Sequence, residues 1–141
     1  MKGIFIDTGF IIALESVTDQ NHEKALQLWN ELLKDLPKMV TTTYVIDEIV
    51  TFFNNRNRHA KAVEIGNRLM NSRSIRVLHV DKGLFCRSWQ YFQQHDDKTY
   101  SLTDCISFIV MTEEASEAAL SFDKHFIQAG FKVLPLLERR E

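Results

Sequence analysis

Five short β-rich runs, KGIFI (2–6), MVTT (39–42), IRVLHV (75–80), EAALSF (117–122) and KVLPL (132–136), are spread through the chain with helical segments between them. Ala25, Leu28, Trp29, Leu32 and Leu33 recur at helical spacing in a segment predicted as a helix over 21–36 and closed by Pro37. Further helices are expected from near Gly9, over 44–55, 59–71, 84–94 and 103–114, and as a short piece ended by the left-handed turn of Gly130. Strands separated by helices require crossover connections, and these favour a parallel sheet with both faces covered. The expected fold is therefore α/β: a three-layer sandwich with a mainly parallel sheet of about five strands flanked by helices.

The 141 residues, 45% of them hydrophobic, suffice for one domain over 1–141 with a core that needs no disulfides. Cys86 and Cys105 lack CxxC spacing and are expected to be buried, reduced thiols, as in a cytoplasmic protein. The longest apolar runs are too short to span a membrane. The opening MKGIFIDTGFIIAL has no small-residue cleavage site and an acid inside its apolar stretch, so it reads as structure and not as a signal peptide. A net charge of −2 argues against broad electrostatic affinity for nucleic acid, so any such contact must be local or assisted by cations.

In an open parallel sheet, sites form beyond the carboxyl ends of the strands at a topological switch point. Asp7 follows the first strand and Asp123 the fourth; Asp104 begins the helix leading into the fourth, and Glu48 lies in the helix after the second. Taken singly, each has a structural alternative. Asp7 and Asp123 fit N-caps, and Asp104 fits the acid of a capping box begun by Ser101. Glu48 has Asp47 beside it, and the helical period does not choose between them.

Taken together, four carboxylates at one edge would repel one another or take up protons unless a cation neutralised them, and DTGF, TTYVIDE and SLTDC contain no Lys or Arg. Oxygen ligands with few or no imidazoles suit Mg²⁺ or Mn²⁺ better than zinc. A cation held there would bridge protein carboxylate and phosphate, which points to metal-assisted phosphoryl chemistry.

The stretches IFIDTGFIIAL, TTTYVIDEIVTFF, YSLTDCISFIVM and ALSFDKHFIQAGF together resemble the PIN-domain proteins, most closely the VapC-type toxin ribonucleases of toxin–antitoxin pairs. The resemblance runs from residue 4 to about residue 135 and lays the family's four acids on Asp7, Glu48, Asp104 and Asp123, preferring Glu48 to Asp47. Thr8, Ser101 and Thr103 match supporting polar positions. It implies a Mg²⁺- or Mn²⁺-dependent endoribonuclease that leaves a 5′-phosphate and a 3′-hydroxyl, acts on an RNA substrate as a cytoplasmic homodimer, and is restrained by a cognate antitoxin.

Arg56, Arg58, His59 and Lys61 in NNRNRHAK are candidates for gripping the RNA backbone, though a solvated helix–helix turn also explains them. His125 is a candidate phosphate contact, His22 an exposed residue of a first helical turn, and Trp29 and Trp89 fit the core. A haloacid-dehalogenase-type phosphatase is disfavoured because Asp7-Thr8-Gly9 lacks its Asp-x-Asp pair. A PIN nuclease of RNA processing or quality control and a non-catalytic RNA- or partner-binding PIN domain remain as alternatives.

Overall fold

The computed structural model describes residues 3–136. Its elements run β1 (Ile4–Ile6), α1 (Thr8–Glu15), α2 (His22–Leu32), β2 (Met39–Thr42), α3 (Thr43–Asn54), α4 (His59–Met70), β3 (Ile75–Leu78), α5 (Lys82–Gln94), α6 (Leu102–Glu113), β4 (Ala118–Leu120), α7 (Lys124–Gln128) and β5 (Val133–Leu134). The five strands form one sheet in the order β3-β2-β1-β4-β5, and every pairing is parallel. All residues of β1, β2 and β4 are buried, and since successive strand side chains point to opposite faces, helices must cover both. This is the α/β architecture the chain's alternation predicts. No helix among the described residues is long and apolar enough to cross a membrane.

Several elements are shorter than the sequence suggests. The helix expected over 21–36 ends at Leu32; Leu33 and Leu36 are 51% and 42% exposed, so no burial holds a further turn together, and the residue before Pro37 is barred from helical geometry. The fourth strand stops at Leu120, although Ser121 N still donates to Leu134 O of β5 at 3.1 Å. α5 begins two residues earlier than expected because Asp81 caps it, its carboxylate accepting from Leu84 N at 2.8 Å. Gly130 has φ +93°, the left-handed turn expected after α7. Residues 1–2 of the first run and 137–141 of the tail lie outside the described residues.

The core gathers on α6, whose Cys105, Ile106, Phe108, Val110 and Met111 are all buried. Phe108 meets Tyr100 and Phe126 edge-on, with ring centroids 5.0 Å away in each case, and lies over Phe131 at 5.5 Å. Phe126 in turn reaches Phe5 of β1. This aromatic chain clamps α6 and α7 to the centre of the sheet and so fixes the two helix N-termini that bear Asp104 and Asp123. Two expectations for the core are corrected. Trp89 is 45% exposed and stacks on Phe92 at the surface, because only Leu84 and Ser88 of α5 are fully buried. Cys86 is likewise exposed, whereas Cys105 is buried; both are free thiols.

Phe108→Ala should destabilise the protein by about 3–5 kcal/mol, the usual cost of emptying a buried phenyl site. Urea unfolding followed by circular dichroism will show this as a lower midpoint at unchanged slope.

Candidate active site

The chain leaves β1 for β2 and β3 on one side and returns on the other side as β4, so the switch point lies between β1 and β4. Asp7 follows the end of β1 and Asp123 lies three residues after β4. α6 feeds the start of β4, which puts its N-terminus and Asp104 at the same edge. Thr42 caps α3 by accepting from Val45 N, and Glu48 projects from the following turn. The side chains meet in a cleft of about 510 Å³ lined by Asp7, Thr8, Gly9, Gln20, Asn21, Glu48, Thr99, Ser101, Asp104, Phe122, Asp123 and His125. No Lys or Arg lines it.

Each acid is held by a defined partner. Asp7 occupies the N-cap position of α1 yet makes no side-chain cap bond; its Oδ2 accepts instead from the hydroxyl of Ser121 at 2.9 Å. The Ser121 oxygen accepts in turn from Asp123 N at 3.0 Å, so one buried serine ties the ends of β1 and β4 together. Thr41, also buried, donates to Ile6 O at 2.8 Å and fixes the backbone just before Asp7. Asp104 makes the capping box expected of it: its backbone N–H donates to Ser101 Oγ at 3.0 Å, and its Oδ2 accepts from Ser101 N at 3.1 Å. Asp123 caps α7, accepting from His125 N at 2.9 Å. Thr8 donates to Glu48 Oε1 at 2.8 Å and draws that carboxylate toward Asp7.

His125 lies among these groups. Its Nδ1 is 3.0 Å from Asp104 Oδ2 and 3.3 Å from Asp123 Oδ1, and its Nε2 is 3.0 Å from Thr99 Oγ1. Asp104, Asp123 and His125 each offer a ligand atom, all within 4.8 Å of one another.

The cleft favours protonated acids. Burial pushes the Asp7 carboxyl up from 3.8 to about 7, further raised by Asp104 and Asp123 and partly offset by hydrogen bonds from Ser121 and Thr8. Burial also raises Asp104, assisted by Asp123 and opposed by Ser101 and His125. Glu48, although its side chain reaches solvent, is raised by the cleft walls and then by Asp104, Asp47 and Asp123, against the bond from Thr8. Such a set of crowded carboxylate oxygens, with no Lys or Arg beside them, fits a divalent cation, which would supply positive charge.

Of the residues singled out in the sequence, Asp7, Thr8, Glu48, Ser101, Asp104, Asp123 and His125 line the cleft. Thr103 does not; its carbonyl accepts from Ser107. Arg56 and Arg58 stand beyond α3, where their guanidinium groups lie over the rings of Phe52 and Phe53 at 3.5 and 5.4 Å, about two helical turns past Glu48. His22 Nδ1 bonds Ala13 O at 2.8 Å, serving the packing of α2 on α1. Ser121 and Thr99 escaped sequence reading. A serine between the apolar residues of ALSFD was the available signal for the first, and the second announces itself only through its contact with His125.

The fold and the arrangement of acids define a class. Residues 4–132 match the family model for the PIN domain, and the chain belongs to that family, whose nucleases hydrolyse phosphodiester bonds with the aid of metal ions. It is 35% identical over 128 residues to the 23S rRNA-specific endonuclease VapC20 of Mycobacterium tuberculosis, covering 91% of this chain and 95% of that one. The crystal structure of VapC20, described as a Sarcin-Ricin loop cleaving toxin, superposes with a TM-score of 0.82 at 34% identity over 91% of this chain and 95% of that chain. FitAcB of Neisseria gonorrhoeae (16% identity, TM-score 0.65, 92% and 95% coverage) and a toxin–antitoxin complex from Klebsiella pneumoniae (13%, 0.66, 96% and 99%) share the fold.

The raised proton affinity of Asp7 has a consequence for stability. Between its unfolded value near 3.8 and its folded value of about 7, the folded state binds more protons than the unfolded one, so stability falls as pH rises through that window. Metal-stripped protein should therefore melt at lower temperature at pH 8 than at pH 5.5, and Asp7→Asn should flatten the dependence. Relief of even about 1 kcal/mol would place the variant's Tm roughly 4 °C above wild type at pH 8. Thermal melts in EDTA across pH 5–8 measure both.

Proposed function

We propose that this protein is a Mg²⁺- or Mn²⁺-dependent endoribonuclease, the toxin of a toxin–antitoxin pair, with ribosomal RNA as its substrate. The observation that carries the reading is the convergence of Asp7, Glu48, Asp104 and Asp123 from four separate segments in one cleft with no Lys or Arg among its walls. The similarity to VapC20 along nearly the whole chain supports a structured loop of 23S rRNA as the target.

Asp7, Asp104 and Asp123 would hold the cation, with Glu48 a ligand directly or through water. When bound, the cation supplies a lowered pKa for water in the cleft and neutralises charge developing on the phosphate. Glu48, more basic than an ordinary glutamate and oriented by Thr8, accepts a proton from the attacking water. Ser121 keeps Asp7 aimed into the cleft, and the Ser101 capping box does the same for Asp104. The P–O bond to the 3′ oxygen breaks, leaving a 3′-hydroxyl and a 5′-phosphate. Arg56 and Arg58, just beyond the C-terminus of α3, are assigned to the RNA backbone.

Restraint by an antitoxin fits the description of VapC20 as a toxin and the neighbouring toxin–antitoxin complex of the same fold. The chain also offers an apolar groove of about 650 Å³ between α1, α2 and α4, rimmed by the part-exposed Leu26, Leu33 and Leu36. A homodimer in the cytoplasm completes the reading, and sedimentation at micromolar concentration tests the dimer.

Purified protein freed of any antitoxin should cleave 23S rRNA in Mg²⁺ or Mn²⁺ and stop in EDTA. Asp7→Asn and Asp104→Asn should lose most activity while keeping their circular dichroism spectra, and Glu48→Gln should fall by roughly 100-fold or more. Wild-type rates in either aspartate variant would refute the assignment.

A further inference from the structure

We propose that His125 is a nitrogen ligand of the bound cation and that it biases this site toward Mn²⁺ over Mg²⁺. The inference rests on the metal-dependent reading above and adds to the four carboxylates a group of different chemistry. Nδ1 of His125 lies 3.0 Å from Asp104 Oδ2 and 3.3 Å from Asp123 Oδ1. Adjacent ligands of an octahedral ion, each about 2.1 Å from its centre, stand about 3.0 Å apart; Nδ1 already stands close to that distance from each carboxylate oxygen, and the three residues offer ligand atoms all within 4.8 Å of one another.

The far side of the ring is built for the same role. Nε2 is 3.0 Å from the hydroxyl of Thr99, which can accept or donate by rotating and therefore satisfies either tautomer. With Nε2–H donated to Thr99, Nδ1 carries a lone pair on the ring edge that faces Asp104 and Asp123. A ligating imidazole whose other nitrogen is hydrogen-bonded is the usual arrangement at metal centres. Tyr100, buried, meets the ring edge-on at 5.4 Å, and the backbone N–H of His125 is held by Asp123, so both ring plane and backbone are constrained.

The consequence is selectivity. An all-oxygen set suits Mg²⁺, whereas an imidazole favours transition ions, of which Mn²⁺ is the one that carboxylates also suit. Thr99 thereby becomes a positioning residue, acting through the ring.

Electron paramagnetic resonance on metal-stripped protein titrated with Mn²⁺ tests this without reference to activity. Pulsed spectra of bound Mn²⁺ should show ¹⁴N coupling from a directly ligated imidazole, and competition should place Mn²⁺ at least about 10-fold tighter than Mg²⁺. His125→Gln should lose the coupling and bring the two ions within roughly threefold, and Thr99→Ala should weaken Mn²⁺ binding while retaining the coupling. Mn²⁺ bound without ¹⁴N coupling in the wild type, or an undiminished preference in His125→Gln, would overturn the inference while leaving a carboxylate metal site and the nuclease reading intact. Failure of the wild type to bind either ion would overturn both.

Discussion

Crowding of carboxylates at one edge of the sheet is the constraint around which this molecule is organised. Asp7 and Asp104 are only 6% and 8% exposed; Asp7 feels both Asp104 and Asp123, and Asp104 feels Asp123. In a fold selected for stability alone, such a group would be neutral, paired with a base or replaced. Here the surrounding structure keeps the acids together: Asp7 emerges from the central strand, where backbone movement would disturb the pairings with both β2 and β4. The aromatic chain from Phe5 through Phe126 and Phe108 to Tyr100 pins the helices that bring the other two aspartates. The core thus absorbs the electrostatic cost of the site, and a divalent cation would remove most of it.

Cap and ligand, which look like competing explanations for an acid at a helix N-terminus, coincide at this site. Asp104 closes a capping box, and Asp123 caps α7. One carboxylate oxygen of each makes those bonds, and no described hydrogen bond engages Asp104 Oδ1 or Asp123 Oδ2. Two tasks are compatible because each carboxylate oxygen carries more than one lone pair, and because the bond to a backbone N–H holds the whole carboxylate in a fixed direction. Asp7 divides its work differently, since it stands at the N-cap of α1 but takes its side-chain bond from Ser121 across the sheet.

The relation to known proteins follows the same division between scaffold and site. Neighbours at 13% and 16% identity share the fold, so the sheet order and its crossovers tolerate wide change in sequence. Similarity at 35% across 91% of the chain to an endonuclease is a different matter, because the likeness there extends beyond the fold to the sequence itself. What a shared scaffold leaves open is the wall of the cleft, and His125 with Thr99 belongs to that wall.

The amino-acid sequence alone determined the α/β class, the number of strands and their succession along the chain, and marked three of the acids as candidates, because β-rich runs alternate with helical periods and each aspartate stands at an element boundary where local pattern is informative. It also settled Gly130, whose turn depends on its own backbone. Helix ends at Leu32 and Lys82, the exposure of Trp89 and Cys86, and the choice of Glu48 over Asp47 did not follow from local pattern; for the last, resemblance to a family was needed, and in the fold Thr8 holds Glu48. The tertiary structure alone decided that Ser121 links Asp7 to Asp123, that Thr99 faces His125, and that His125 sits between two acids. The physical reason is distance along the chain: Ser121 and Asp7 are 114 residues apart, and only the packing of β4 against β1 turns that separation into a hydrogen bond.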